Sequence, residues 1–231
     1  MIQMYDLAAA DAAVRFSPYC WRTRMALAHK GLAVETIAWR FTDRDAIAFS
    51  GQGRVPVIRD GKTVVFDSWA IAQYLERQYP EKPSLFGGPK GEAHARFING
   101  WADTVLNPGL IRLVVGDVFA VIAAKDREYF RASREARFGA SPDQVQSGRE
   151  QTVVGFRQSL APVRTTLEVQ AFLGGGEPSY ADYIVFGGFM WARNISTFEL
   201  LEASDPIADW RERMLDLHGG LARQSARAAP A

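Results

Sequence analysis

The chain has 231 residues, a formal net charge of +1, 48% hydrophobic and 23% charged side chains, the profile of an ordinary globular protein of one large or two modest domains. No Lys/Arg run interleaved with aromatics appears, which argues against a nucleic-acid partner. The single cysteine, Cys20, excludes an intrachain disulfide framework and a thiolate zinc site, and His29, His94 and His218 lack ligand spacing, so no metal is expected.

The N-terminus has neither a basic n-region nor an apolar h-region, and the apolar run 183–191 is too short to span a bilayer. A cytoplasmic protein with no membrane partner is expected.

A short strand is predicted over residues 2–5. Residues 18–30 read as a helix, with Trp21, Met25 and Ala28 on one face and Gly31 to end it. A second strand follows over 34–39, and 43–49 supports only a short, weak helix. Segments 56–59 and 63–66 flank Asp60-Gly61, a hairpin signal. Residues 68–79 then repeat Trp69, Ala72, Leu75 and Tyr79 at helical spacing, with Pro80 beyond. The order β-α-β-α-β-β-α, a parallel pair with a crossover helix followed by an antiparallel hairpin, is the α/β thioredoxin-like topology.

The first domain is placed at 1–80 and a Pro/Gly-rich linker at 81–90. Strand signals then nearly vanish. Helices are predicted over 92–105, 110–123, 126–138, 142–168, 180–195 and 206–217, so that 91–231 forms an all-α C-terminal domain. The Ala/Arg-biased tail, 221–231, is expected to fray.

One stretch carries chemistry. Ser17-Pro18-Tyr19-Cys20 reads as a redox dithiol motif whose first cysteine has become serine, at a strand-to-helix junction. The helix N-terminus there offers unpaired N–H groups and a partial positive charge. A serine cannot be the thiolate, but its O–H can donate to a thiolate belonging to a bound thiol. The same Ser-Pro pair is also an ordinary helix start, with Ser as the cap and Pro at the first helical position.

Four segments together resemble the cytosolic glutathione S-transferases over nearly the whole length. They are Ser17-Pro-Tyr-Cys-Trp-Arg22, Arg54-Val-Pro-Val-Ile58, Asp67-Ser-Trp-Ala-Ile-Ala-Gln-Tyr-Leu75 and Ser179-Tyr-Ala-Asp182. The first is similar to the serine-type catalytic motif. Within the family, Asp126-Arg-Glu-Tyr, Ser133-Arg-Glu, Gln146-Ser-Gly-Arg-Glu and Asp205-Pro-Ile-Ala-Asp-Trp are similar to the bacterial lignin β-aryl etherases and their fungal relatives. Ser17 with Trp21 and Arg22 also resembles the zeta class, an isomerase group, in the first half.

The resemblance implies a catalytic Ser17 that hydrogen-bonds the glutathione thiolate. Glutathione would be the co-substrate. It implies a cis peptide at Val55-Pro56, whose residues alone read as the start of an edge strand, with Val55 pairing to the glutathione backbone. It implies that Asp67 and Ser68, otherwise a helix cap, hold the γ-glutamyl end. Tyr19 joins the glutathione site, and Arg40, Gln52 and Arg54 are candidates for the glycyl carboxylate. Trp101, Arg112, Val115, Phe119 and Trp191 are candidates for the electrophile pocket, although such spacing also suits a core. Ser179 and Asp182 read as a reciprocal capping box. Cys20 reads as a packed thiol. The expected activity is glutathione transfer to a hydrophobic, aromatic electrophile, with β-aryl ether cleavage as its specific form, by a homodimer. A thiol-disulfide reductase, an isomerase and a non-catalytic interaction module are the alternatives.

Overall fold

A computed structural model of the protein describes residues 1–229. Residues 230 and 231, the end of the tail expected to fray, lie outside the described residues. Strands β1 (Ile2–Leu7), β2 (Val34–Trp39), β3 (Val57–Asp60) and β4 (Thr63–Phe66) form one sheet in the order β2-β1-β3-β4. β1 runs parallel to β2, with Ile2 opposite Val34, and antiparallel to β3; β3 and β4 make the hairpin through Asp60-Gly61. β1 runs on through Asp6 and Leu7, because β2 supplies partners for both. Helices α1 (Pro18–His29) and α2 (Ser68–Gln78) pack against each other beside the sheet. The weak helix is a 3-10 segment, Arg44–Ser50. The thioredoxin-like topology is as expected.

The remainder is helical. α3 (Pro89–Trp101) already begins inside the Pro/Gly-rich stretch, with Pro89 in its first turn. α3 and α4 (Asn107–Val121) are not separate helices. A π-helical turn, Ala102–Leu106, joins them into one helix of 33 residues. Pro108 explains the turn: it has no N–H to donate, and in α geometry its ring would strike the carbonyl of Thr104. By length and composition alone this helix could cross a membrane, but half of its most apolar window is buried within the fold.

α5 (Arg127–Phe138) follows. The single helix expected over 142–168 is three: α6 (Pro142–Gln146), α7 (Arg149–Ser159) and α8 (Ala161–Leu167). Gly148, at φ +70°, makes the first break, and Pro162 in the first turn of α8 marks the second. Apolar spacing runs through both breaks, which hid them. α9 (Tyr180–Ile195) and α10 (Pro206–Gly220) complete the fold.

α9 is the central helix, buried along nearly its whole length. It lies between α1 and α4, and Gly187-Gly188 permits this. A Cβ on Gly187 would sit 2.3 Å from the Pro18 carbonyl oxygen, and one on Gly188 would sit 2.9 Å from a Leu110 methyl. The Ser179/Asp182 capping box is present, and Asp182 does more than cap. Its carboxylate also accepts from the Leu173 and Gly174 N–H groups and from Trp210 Nε1.

Polar contacts bind the halves together. Arg22, buried in α1, donates to Asn99 Oδ1 and Asp103 Oδ1, both at 2.9 Å. Tyr180 Oη donates to the Ser68 carbonyl at 2.6 Å. Thr42, just after β2, donates through N–H and Oγ1 to buried Asp126. His29, Tyr183 and His218 form a fourth contact through the Tyr183 hydroxyl.

Candidate active site

Between the two halves lies a cleft of about 420 Å³, within the size range of small-molecule sites. Its first wall comes from the junction of β1 with α1 and from the loop before β3. Ser17 is the N-cap of α1, in extended conformation, with Pro18 behind it. Its Oγ accepts the Cys20 N–H at 3.2 Å. An oxygen that accepts from the helix still has its own proton to donate, and Ser17 lines the cleft. Capping and thiolate binding are therefore compatible roles for one hydroxyl.

Tyr19 also lines the cleft, its ring 4.6 Å from the Arg22 guanidinium carbon. Burial, and the nearby Asp103 carboxylate, raise its pKa, so the phenol remains a proton donor. Arg54 and Val55 line the same wall, and the Val55-Pro56 peptide is cis. Among the described residues no hydrogen bond engages the Val55 N–H or C=O. Gln52 does not face the cleft. Its amide donates to Ser50 Oγ and the Arg54 carbonyl and accepts from the Arg54 N–H, so it braces the loop that presents Arg54. Arg40 is engaged by the Ala9 and Ala10 carbonyls. Asp67 and Ser68 lie outside the cleft lining. Asp67, at φ +71°, caps α2 by accepting from the Trp69 and Ala70 N–H groups, both at 3.0 Å, and Ser68 is buried.

The second wall is helical, and here the sequence-based choice fails in part. Of the five candidates only Trp191 lines the cleft. Val115 is fully buried in the core, Arg112 stacks on Phe138, and Phe119 packs under Arg127 and Arg131. Trp101, just before the π-helical turn, also lies off the lining. The lining instead takes Asp103, Asn107, Pro108, Ile111 and Val118 from the same long helix. That face lies one residue, or about 100°, from the one chosen. α4 is apolar on several sides, so periodicity does not say which side meets the cleft. One signal was present: Asp103 and Asn107 are polar residues one turn apart in an apolar segment. α5 adds Tyr129, Phe130, Arg134 and Arg137, and the loop after β2 adds Phe41.

Residues 93–217 match the glutathione S-transferase C-terminal domain, and residues 16–78 match the glutathione S-transferase N-terminal domain. The chain belongs to the glutathione S-transferase family. A maize relative, Glutathione S-transferase 4 of Zea mays, is 33% identical over 119 residues, covering 48% of this chain and 52% of that one. This chain thus spans about half the length of that curated relative. Among solved structures, glutathione transferase GSTFuA3 from Phanerochaete chrysosporium is similar at 29% identity and a TM-score of 0.76, over 95% of this chain and 92% of that one. CsGST63524 of Ceriporiopsis subvermispora, solved in complex with glutathione, shares the fold at 22% identity and a TM-score of 0.77, over 100% of this chain and 99% of that one.

In this family member Cys20 is fully buried, and burial together with the nearby Asp6 carboxylate pushes its thiol well above the ordinary range. A thiol so placed has little thiolate and no access to a disulfide. Among the described residues no cluster of His, Cys, Asp or Glu could hold a metal ion.

Proposed function

We propose that the chain is a serine-type glutathione transferase that binds glutathione along the first wall and delivers its thiolate to a hydrophobic, aromatic electrophile held by the second. The observation that carries this reading is Ser17: a cleft-facing hydroxyl at a helix N-terminus, its oxygen already occupied by the Cys20 N–H and its proton left to donate. A free thiol has a pKa of about 8.5, and a helix N-terminus lowers it by one to several units. The Ser17 O–H and the α1 dipole would thus activate the sulfur without a proton-abstracting base. The Tyr19 phenol is a second donor to the same region. The free backbone groups of Val55 suit pairing with the cysteinyl unit of glutathione. Arg54, exposed and braced by Gln52, suits the glycyl carboxylate, whereas Arg40 is occupied by backbone carbonyls. Asp67 and Ser68 at the α2 N-terminus would take the γ-glutamyl end, Asp67 through the oxygen that does not cap the helix.

The aromatic second wall favours an aromatic electrophile, with aryl ether cleavage as the etherase-like form of the reaction. A buried, high-pKa Cys20 weighs against the reductase alternative. We read the protein as a cytoplasmic homodimer; the exposed rings of Phe66 in β4 and Phe97 in α3 suit a subunit contact. The test is retention on immobilised glutathione, calorimetry with glutathione, and conjugation of a chlorodinitrobenzene. Retention with turnover is the expected result. No heat at millimolar glutathione would overturn the reading.

A further inference from the structure

The α5 side of the cleft carries more positive charge than a neutral electrophile requires. Arg134 and Arg137 stand one helical turn apart and both line the cleft. The Arg134 guanidinium carbon lies 4.2 Å from the Phe130 ring centroid and 6.0 Å from that of Phe41. Its Nη1 donates to Ser133 Oγ at 3.0 Å, while its Nε is buried with no partner. Among the described residues, no carboxylate forms an ion pair with either arginine. Some arginines of the helical half have carboxylate partners, Arg149 with Asp117 and Arg164 with Asp205, each at 2.7 Å, and others, such as Arg131 and Arg213, have none among the described residues; what sets Arg134 apart is a buried, unpartnered Nε at the cleft. Among the described residues, the one carboxylate in the cleft lining, Asp103, is already held by Arg22 at 2.9 Å.

A buried donor without an acceptor is costly, and a second cation one turn away adds repulsion. Burial and Arg137 accordingly hold the Arg134 pKa below the ordinary guanidinium range. An anion placed between the two would remove both costs. The rings of Phe41 and Tyr129, with the edge of buried Phe130, line the cleft beside them and suit an aromatic ring, and a guanidinium fork suits a planar carboxylate.

We propose that Arg134 and Arg137 form an anion subsite of the cleft, and that the electrophile is an aromatic acid whose ring rests against Phe41, Tyr129 and Phe130 while its carboxylate meets the arginine pair. The identity of the reaction rests on the transferase reading above; the binding preference does not.

Binding is therefore measured first, by quenching of the cleft tryptophans Trp39 and Trp191, with chlorodinitrobenzoate and with the uncharged chlorodinitrobenzene, in the absence of glutathione. The wild-type protein is expected to prefer the benzoate. Arg134→Gln should reduce that preference by about 10–100-fold, the range of a hydrogen bond to a charged group. Arg137→Gln, at an exposed position, should reduce it by less, and Arg134→Lys should restore part of it. Equal affinity for the two probes in the wild type, or an unchanged preference in both Gln variants, overturns the proposal. Glutathione is itself anionic, so it is titrated into the same variants. If Arg134→Gln weakens glutathione and leaves the benzoate preference intact, the anion is glutathione's own and the proposal is again overturned. Turnover with added glutathione is scored separately: a benzoate preference without conjugation supports the subsite and refutes the transferase reading.

Discussion

The two walls of the cleft are built by different means. The first is made of short local devices: a helix cap, a braced loop and a cis peptide, each contained within a few consecutive residues. The second is made of side chains from α4, α5 and α9, which meet only because the helices pack in one particular way. The first wall presents backbone groups and hydroxyls suited to a peptide. The second presents rings and guanidinium groups, suited, in the proposed reading, to the electrophile. A local device survives changes elsewhere in the molecule, whereas a packed wall depends on each contact that sets the helices' positions.

Asp182→Ala should separate the walls most sharply. It removes the acceptor shared by the Leu173 N–H and Trp210 Nε1, in buried surroundings, and by the Ser179 and Gly174 N–H groups, in part-buried ones. A loss of about 3–5 kcal/mol is expected, read by urea denaturation, with α9 and its Trp191 loosened. A loss below about 1 kcal/mol would mean that packing alone holds α9.

Ser17→Ala attacks the first wall. A charge-accepting hydrogen bond is worth about 1.5–3 kcal/mol, so turnover should fall by about 10–100-fold. Glutathione affinity should stay within a few-fold, because in the proposed mode the two carboxylates, the ammonium and the backbone pairing carry binding. The decisive readout is the thiolate absorbance of bound glutathione against pH. An unchanged midpoint would leave Ser17 as a helix cap only and pass the thiolate to Tyr19 or to backbone N–H groups.

Gly187→Ala tests how far one wall depends on the other. The new methyl would meet the Pro18 carbonyl, 2.3 Å from the ideal Cβ position, where backbone must move. A cost of about 1–3 kcal/mol is expected. Because Pro18 adjoins Ser17, turnover should fall beyond what instability explains when measured well below the unfolding temperature. Full activity in the folded variant would show that α1 can withdraw from α9 without moving the site.

The smallest effect concerns pH. Burial, then the neighbouring His29, hold His218 at about 4, below the ordinary 6.5, and burial lowers His29 as well. Both rings are therefore neutral in the folded protein over a range where the unfolded chain takes up protons. Stability should be full above about pH 6.5 and decline as pH falls towards about 4. The His218 ring is covered on one side by Tyr183 and His29 while the residue as a whole stays open to solvent, so screening keeps the effect small. His218→Ala should flatten the decline in melting temperature between these limits, and an unaltered slope would place the titration elsewhere.

The sequence by itself determined the β-α-β-α-β-β-α order, the Ser-Pro start of α1, the Asp60-Gly61 hairpin and the Ser179/Asp182 box. Each is encoded within a few residues, where dihedral preferences and side-chain reach suffice. The sequence left open which of Asp67 and Ser68 caps α2. The Val55-Pro56 peptide came from family likeness, since the residues alone favour trans. Tertiary structure alone decided that α3 and α4 are one helix, because a π-helical turn accommodates Pro108 without ending it. It decided that 142–168 breaks at Gly148 and Pro162, through which apolar spacing continues. It also turned Asn107, Ile111 and Val118 rather than Arg112, Val115 and Phe119 towards the cleft. A helix that is apolar on several sides does not announce which side faces a neighbour, and one inserted residue rotates all that follows by about 100°. The Arg134–Arg137 pair was illegible for the same reason: two arginines one turn apart read as a solvated face until Phe41, from the other half of the molecule, packs beside them.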